Sequence, residues 1–229
     1  MQDNHRDSKV HVLAVDGPSG AGKGTSARLV AKMLGYHYVD SGAVYRVIAC
    51  MTLDRRIPDH DEAGFAATAR ELRGKIRMEN GHVYMFSNDV TRVIRTPSVN
   101  ARVPLVAKVE AVRLAVRETQ VKMRQAPGLV ADGRDMWEVF LTPYMFFLTA
   151  PLEVRARRRF AELNKSGAKI GYSSVLEEMR ARDHLDTSRT ISPLRPHAEA
   201  EIIDTSAPGR DALAVATIIY RSYRRRTLR

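Results

Sequence analysis

Gly17-Pro18-Ser19-Gly20-Ala21-Gly22-Lys23-Gly24-Thr25 follows directly on the apolar run Val12-Leu13-Ala14-Val15-Asp16. The run predicts a buried strand, and the spacing of Ala27, Val30, Ala31 and Leu34 predicts a helix from Gly24 to Leu34. Glycines in the intervening turn let backbone N–H groups converge on a polyphosphate, while Lys23 supplies a mobile positive charge to the outer phosphates. The helix start points its partial positive charge at the same place. A chance glycine-rich turn is the plain alternative. Strand, turn, lysine and helix in this order instead point to nucleoside triphosphate binding.

The residue after Lys23 is Gly24, and the hydroxyl comes one step later at Thr25. Simple GTPases and ATPases usually place Ser or Thr directly after the lysine to hold Mg²⁺. The Gly-Lys-Gly-Thr order resembles the loop of nucleoside monophosphate kinases. That resemblance implies phosphoryl transfer to a second small substrate rather than hydrolysis.

The 229 residues suit one globular core with an inserted lobe. Lysine and arginine number 37 against 26 acidic residues, a formal net charge of +11, which fits nucleic acid, an anionic membrane or polyphosphate chemistry. Cys50 is the single cysteine, so no intramolecular disulfide can form, and its apolar helical setting predicts a structural thiol. Met1 to Lys9 is polar and carries Asp3 and Asp7, unlike a secretory signal or transit peptide. The most apolar stretch, Val139 to Leu152, is too short to span a bilayer and contains Pro143 and Pro151. A soluble, cytoplasmic protein is the expectation.

Five apolar runs read as strands: His11–Asp16, Tyr36–Asp40, Gly128–Asp132, Tyr144–Thr149 and Glu201–Thr205. Helical patterns between them predict a mostly parallel sheet covered on both faces, with ligands at the carboxyl ends of its strands. Three of these runs end in Asp16, Asp40 and Asp132, which gathers the polar motifs at one edge. Between Leu53 and Pro104 the pattern changes. Lys75–Glu79 and His82–Phe86 flank Asn80-Gly81, a favoured hairpin turn, and Asp89–Val93 could add a third antiparallel strand. Val106 to Arg124 then reads as helix. Leu152 to Arg189 is helical and densely charged, with a break at Asn164-Lys165-Ser166-Gly167. It reads as a hinged flap over the active edge, with an ordinary solvated helical hairpin as the alternative.

Three further constellations carry chemistry. In Asp40-Ser41-Gly42-Ala43-Val44-Tyr45-Arg46, Ser41-Gly42 can cap a helix that brings Tyr45 and Arg46 to the cleft, a set suited to a nucleotide with one phosphate. The bland alternative is a capped helix with a surface arginine. Leu129-Val130-Ala131-Asp132-Gly133-Arg134-Asp135 ends a buried strand in an acid, the place where proteins with this phosphate loop help hold Mg²⁺. A structural Arg–Asp pair competes with that reading. In Arg182-Asp183-His184-Leu185-Asp186-Thr187-Ser188-Arg189, helical spacing puts Arg182, Asp186 and Arg189 on one face. A solvated salt-bridge face is possible, yet phosphoryl transfer needs several fixed cations oriented by carboxylates. Arg155, Arg158 and Arg159 can share another face upstream.

Taken in order, the loop at 17–25, Asp-Ser-Gly-Ala-Val-Tyr-Arg at 40–46, Ile94-Arg95-Thr96, Pro-Gly-Leu-Val-Ala-Asp-Gly-Arg-Asp-Met at 127–136 and Arg-Asp-x-x-Asp-x-x-Arg at 182–189 resemble bacterial cytidylate kinases. The resemblance spans roughly Val10 to Tyr220. It implies an α/β P-loop NTPase fold of three layers with a five-stranded parallel sheet, an inserted antiparallel β lobe and a helical lid. The kinase core would be 10–52, 105–151 and 190–229, the monophosphate-binding lobe 53–104 and the lid 152–189.

The implied reaction is ATP plus CMP or dCMP to ADP plus CDP or dCDP, with Mg²⁺, in pyrimidine metabolism. Gly17, Pro18, Ser19, Gly20, Ala21, Gly22, Lys23, Gly24 and Thr25 would hold the ATP phosphates, with Arg158 closing over them from the lid. Ser41 would meet the cytosine or sugar, and Tyr45 would shape that pocket. Arg46, Arg113 and Arg134 would grip the CMP phosphate, and Asp135 would bond the sugar region. Arg182, Asp186 and Arg189 would complete the acceptor site. The chemical step would rest on Lys23, Arg134, Arg182, Arg189 and Asp132, with Thr25 and Asp132 holding Mg²⁺ partly through water. The partners would be small nucleotides, with no membrane and no nucleic acid, and the chain a monomer.

Two positions depart from the family pattern. Pro104 stands where a small polar serine is usual near the base, so a hydrogen bond would be lost. Trp137-Glu138 replaces Gly-Thr, and the indole could pack on the sheet, stack on a nucleotide or partly block the site. They leave open a kinase for a different monophosphate. The arginine tail (Arg221, Arg224, Arg225, Arg226, Arg229) leaves a further reading, a catalytically weak basic protein that binds nucleotide or nucleic acid.

Overall fold

The computed structural model describes residues 10–228, apart from 80, 166, 168 and 169. Met1 to Lys9, Asn80 of the expected hairpin turn, Ser166 of the expected break and Arg229 of the tail therefore lie outside the described residues.

A five-stranded parallel sheet forms the centre, in the order β2 (His37–Asp40), β6 (Gly128–Gly133), β1 (His11–Asp16), β7 (Tyr144–Thr149) and β8 (Glu201–Asp204). Its three middle strands are almost wholly buried, which is why they read as unbroken apolar runs. One face is covered by α1 (Lys23–Leu34) and α9 (Ala212–Thr227), which pack with Leu13, Val15, Val130, Phe146 and Leu148. The other face packs Val12, Ala14, Leu129 and Ala131 against α6 (Met136–Phe140). With helices on both faces, the layers are those of the P-loop α/β fold.

Strand ends fall within a residue of the sequence reading. Tyr36 stays outside β2 because it closes the α1 turn, its N–H bonded to Ala31 O, and Thr205 leaves β8 as a bridge to Thr149 O. The registry sets Asp16 beside Gly133 and Asp40 beside Asp132, so the strand-ending carboxylates do meet at one edge.

From α2 (Ser41–Asp54) the chain runs through α3 (Glu62–Glu71) into an antiparallel sheet of β3 (Ile76–Glu79), β4 (His82–Met85) and β5 (Asn88–Asp89). The third strand is shorter than expected. Val90 is buried and Val93–Arg95 winds into a 3-10 turn, because Ile94 must turn inward to reach the core. Phe65, Ala69, Leu72, Ile76, Val83 and Ile94 share one apolar cluster with Val44, Val47 and Ile48 of α2.

The long helix expected from Val106 is in fact two, α4 (Pro97–Ala107) and α5 (Glu110–Val121). The break falls at Lys108-Val109, where Val109 adopts an extended conformation that buries its side chain. Beyond the sheet, α7 (Leu152–Lys165) and α8 (Tyr172–Ser188) form a hairpin around Ala156, Val175 and Met179. Among the described residues no helix is long and apolar enough to cross a membrane.

Candidate active site

The phosphate loop closes over its own lysine. Lys23 is buried and donates to Pro18 O at 2.8 Å, so its ammonium lies within the curl. Gly17 has φ of 143°, and a Cβ there would overlap the Leu148 carbonyl, so only glycine lets the loop leave β1 beside β7. Gly22, in the left-handed region at φ 85°, is the N-cap of α1 and contributes no side-chain bond, so the first amides of the helix are left for a ligand. Burial, and next the Arg134 guanidinium, push the Lys23 ammonium well below its ordinary range. A bound polyphosphate would reverse that.

Facing the loop is a cluster of arginines from separate elements. Arg134 follows β6 and donates through Nε to Asp186 Oδ2 on α8 at 2.7 Å. Arg46, one turn into α2, is oriented by Asn100 Oδ1 of α4 at 3.3 Å. A Cβ at Gly42 would stand 2.9 Å from Arg46 Nη1, so the glycine leaves room for the guanidinium to lie back along α2. Arg113 of α5 pairs with Asp135 in a buried bond, beside Tyr45, whose hydroxyl is pushed up to about 12 chiefly by burial.

Arg182 has no ion pair among the described residues and is pushed down to about 10 by burial and then by Arg134. Burial lowers Arg46 and Arg189 too, with other arginines adding to the shift. Half-buried cations that repel one another make a site for an anion. Arg113 Nε and Arg189 Nη2 are buried with no hydrogen-bond partner among the described residues, as donors left for a ligand would be.

Several expected placements change. Arg189 does not share a helical face with Arg182 and Asp186, because α8 ends at Ser188 and Arg189 is extended, at φ −63° and ψ 142°. It folds back instead, with Nε donating to Ser192 O and Nη1 3.7 Å from Asp186. The cap of α2 is Asp40, which accepts from Ala43 N at 3.1 Å, rather than Ser41-Gly42. Ser41 is buried against Gly133, whose missing side chain makes room for its hydroxyl. Arg158, expected over the ATP phosphates, donates to Thr205 Oγ1 and Thr205 O at 2.9 and 2.7 Å. Cys50 is half-buried. Pro104 lies inside α4. Trp137 packs on the sheet, its main-chain N–H donating to Asp16 Oδ2 at 3.2 Å and its ring 4.6 Å from that of His197.

Four further residues shape the site. Asp16 accepts from Met136 N and Trp137 N, tying the end of β1 to α6. Arg155 is buried and donates to Ala150 O, Ser19 O and Asp183 Oδ2, joining the phosphate loop to α8. Arg159 adds to the positive field around Arg46. Tyr38 donates its hydroxyl to Asp132 Oδ1 at 2.5 Å. A strand-ending acid was a signal for Asp16. Nothing in the sequence signalled Tyr38, since its partner is 94 positions away.

Asp132 itself is raised above the carboxylate range by burial and then by Asp40. Its Oδ2 would lie 3.8 Å from a Cβ at Gly24, so the missing side chain leaves a gap between the acid and the start of α1. Thr25, next in the chain, is exposed. That donor set suits Mg²⁺, which keeps several waters and takes few protein ligands beside substrate phosphates. No group of three or more His, Cys, Asp or Glu side chains among the described residues forms a metal cage.

A phosphate loop facing a second cationic pocket, beside a helical hairpin on a parallel sheet, defines a phosphotransferase of the nucleoside monophosphate kinase class. Comparison with known proteins gives the family. The cytidylate kinase family profile matches residues 13–222. The cytidylate kinase of Pseudomonas paraeruginosa (strain DSM 24068 / PA7) is 41% identical over 220 residues, covering 93% of this chain and 96% of that protein. That of Methylococcus capsulatus (strain ATCC 33009 / NCIMB 11132 / Bath) is 42% identical over 200 residues, covering 86% and 90%. That of Aeromonas hydrophila subsp. hydrophila is 38% identical over 213 residues, covering 91% and 93%. The chain belongs to the cytidylate kinase family.

Proposed function

We propose that the chain transfers the γ-phosphoryl group of ATP to CMP or dCMP, giving ADP and CDP or dCDP. The observation that carries this reading is the second phosphate pocket, made of half-buried, mutually repelling arginines opposite the phosphate loop. A hydrolase needs no such pocket, whereas a kinase with a phosphorylated acceptor does.

In this reading the loop amides of 17–25 and Lys23 hold the donor phosphates. Arg46, Arg113 and Arg134 take the acceptor phosphate, while Ser41, Tyr45 and Asp135 receive the nucleoside and Asp186 reaches the sugar. Arg182 and Arg189 neutralise the charge that spreads over the transferring group. The acceptor phosphate is already ionised at neutral pH, so positioning in line does the work and no strong base is required. Mg²⁺, reached by Thr25 and by Asp132 Oδ2 partly through water, would supply further neutralisation of the donor phosphates.

We assign 53–104 as the acceptor-side lobe and 152–189 as the lid, with 10–52, 105–151 and 190–229 as the core. Closure of the lid, with Arg158 moving from Thr205 to the ATP phosphates, would exclude water. Nucleotide substrates set the work in the cytoplasm. All the groups named come from one chain, which suits a monomer, and sedimentation tests that.

The deciding experiment is an ADP-release assay with ATP, Mg²⁺ and a panel of CMP, dCMP, UMP, AMP, GMP and dTMP. Turnover with CMP or dCMP supports the reading. Turnover confined to another base moves the acceptor, and silence across the panel in folded, ATP-binding protein overturns it. The relatives named above are all cytidylate kinases, so neither a different acceptor nor a nucleic-acid role is favoured.

A further inference from the structure

A cavity of about 1010 Å³ runs along the free edge of β2, walled by α1, the β3–β4 hairpin and the end of α5. None of the acceptor-site arginines lines it. Five cations (Arg28, Lys32, Arg77, Arg95 and Lys122) face two carboxylates there, Asp40 and Glu79. Both carboxylates are already engaged, Asp40 by Arg95 at 3.4 Å and Glu79 by Arg77. Arg28, Lys32 and Lys122 have no ion pair among the described residues. Unpaired like charges around a concave wall concentrate a positive potential that a multiply charged anion relieves. The volume is that of a nucleotide-sized pocket rather than of a single-ion site.

We propose that this cleft binds a chain of phosphates, free or carried by a nucleotide, at a site separate from both substrate sites. Tyr38 joins it to the kinase centre. Its ring lines the cleft with the Arg28 guanidinium 5.0 Å from the ring centroid, and its hydroxyl donates to Asp132 Oδ1 at 2.5 Å. Phosphates bound by Arg28 draw the guanidinium off the ring. Phosphates near Arg95 compete for it with Asp40, the residue that caps α2 and so seats Ser41 and Arg46. Occupancy therefore slows the kinase without blocking either substrate. The binding half of this proposal is independent of the reaction, and only the inhibition half rests on the proposed function.

Calorimetry on the Lys23→Met protein, with the phosphate loop disabled, tests binding with tripolyphosphate and separately with CTP. The expected result is binding that a further Lys32→Glu/Lys122→Glu pair weakens about tenfold or more, as loss of two charged contacts requires. Both lysines are exposed, and a thermal melt checks that the fold is kept. Binding of both probes assigns the phosphate chain, and binding of CTP alone assigns a nucleotide. No binding, or binding that the pair leaves unchanged, overturns the site.

Inhibition is read in the otherwise native enzyme at fixed free Mg²⁺ and saturating CMP, as the fall in turnover when ATP, which itself carries a phosphate chain, is raised far beyond the level that saturates the phosphate loop. It should persist in wild type and vanish in Lys32→Glu/Lys122→Glu, whose basal turnover stays unchanged. Tyr38→Phe should keep the binding and lose the inhibition. Inhibition that survives both changes overturns the coupling.

Discussion

Nine consecutive residues, Gly17 to Thr25, make the phosphate loop, whereas the arginine pocket facing it draws on α2, α5, the end of β6, α8 and the segment after α8. The loop owes its shape to backbone: a glycine that skirts Leu148, a helix start without a side-chain cap and a lysine curled onto Pro18 O. The pocket owes its shape to side chains that hold one another, Arg134 with Asp186, Arg113 with Asp135 and Arg46 with Asn100. A site made of backbone is rigid before substrate comes. One made of ion pairs between distant elements can open and close as α8 and the lobe shift, which suits an acceptor that must enter and leave.

If that contrast is right, damage to the loop should abolish chemistry while sparing the fold, and damage to the pocket should touch both. The largest effect is expected from Lys23→Met. Turnover should fall about 10³-fold, while the melting temperature holds or rises, because a buried cation is removed. A variant with near-native turnover would break the assignment. Arg134→Ala comes next, with kcat/KM for CMP falling about 10²-fold. It also removes the Nε bond to Asp186, which keeps Arg189 beside it, so a denaturant melt should show a cost of about 2 kcal/mol. Loss of activity without loss of stability would mean that the pair does not hold α8 to β6.

Asn100→Ala is milder. The orienting bond to Arg46 disappears and KM for CMP should rise about two- to tenfold, the worth of one hydrogen bond, with kcat little changed. An unchanged KM would show that Arg46 is positioned by Gly42 and the α2 backbone alone.

The last test concerns pH. Burial, opposed by two backbone N–H bonds, pushes Asp16 up to about 7 from an ordinary 3.8. The folded chain therefore holds a proton that the unfolded chain gives up. This contribution is full below the unfolded value and fades as pH rises to about 7, by up to about 1.4 kcal/mol per pH unit. Asp16→Asn should flatten the slope of stability between about pH 4 and 7. An identical slope in the variant would place the titration elsewhere.

The same contrast explains what was legible beforehand. The parallel sheet showed in its apolar runs because strands buried on both faces leave no alternation to misread. The strand reading at Asp89–Val93 runs too long because Val90 and Val93 look strand-like, although the chain turns there to bury Val90 and Ile94. Arg189 was placed on a helical face by periodicity alone, and no local signal announced that α8 would stop one residue earlier. Trp137 had three readings, and contact with His197 and the sheet chose among them.

The sequence by itself determined the phosphate loop, the order of strands and helices and the identity of the arginines, since each depends on residues within a few positions of one another. Tertiary structure alone decided which carboxylate each arginine meets, that Asp40 caps α2 and that Tyr38 reaches Asp132. It also decided that a cationic cleft opens along the free edge of β2. Those outcomes depend on which surfaces come together when the apolar clusters close, and side chains separated by 94 positions meet only then.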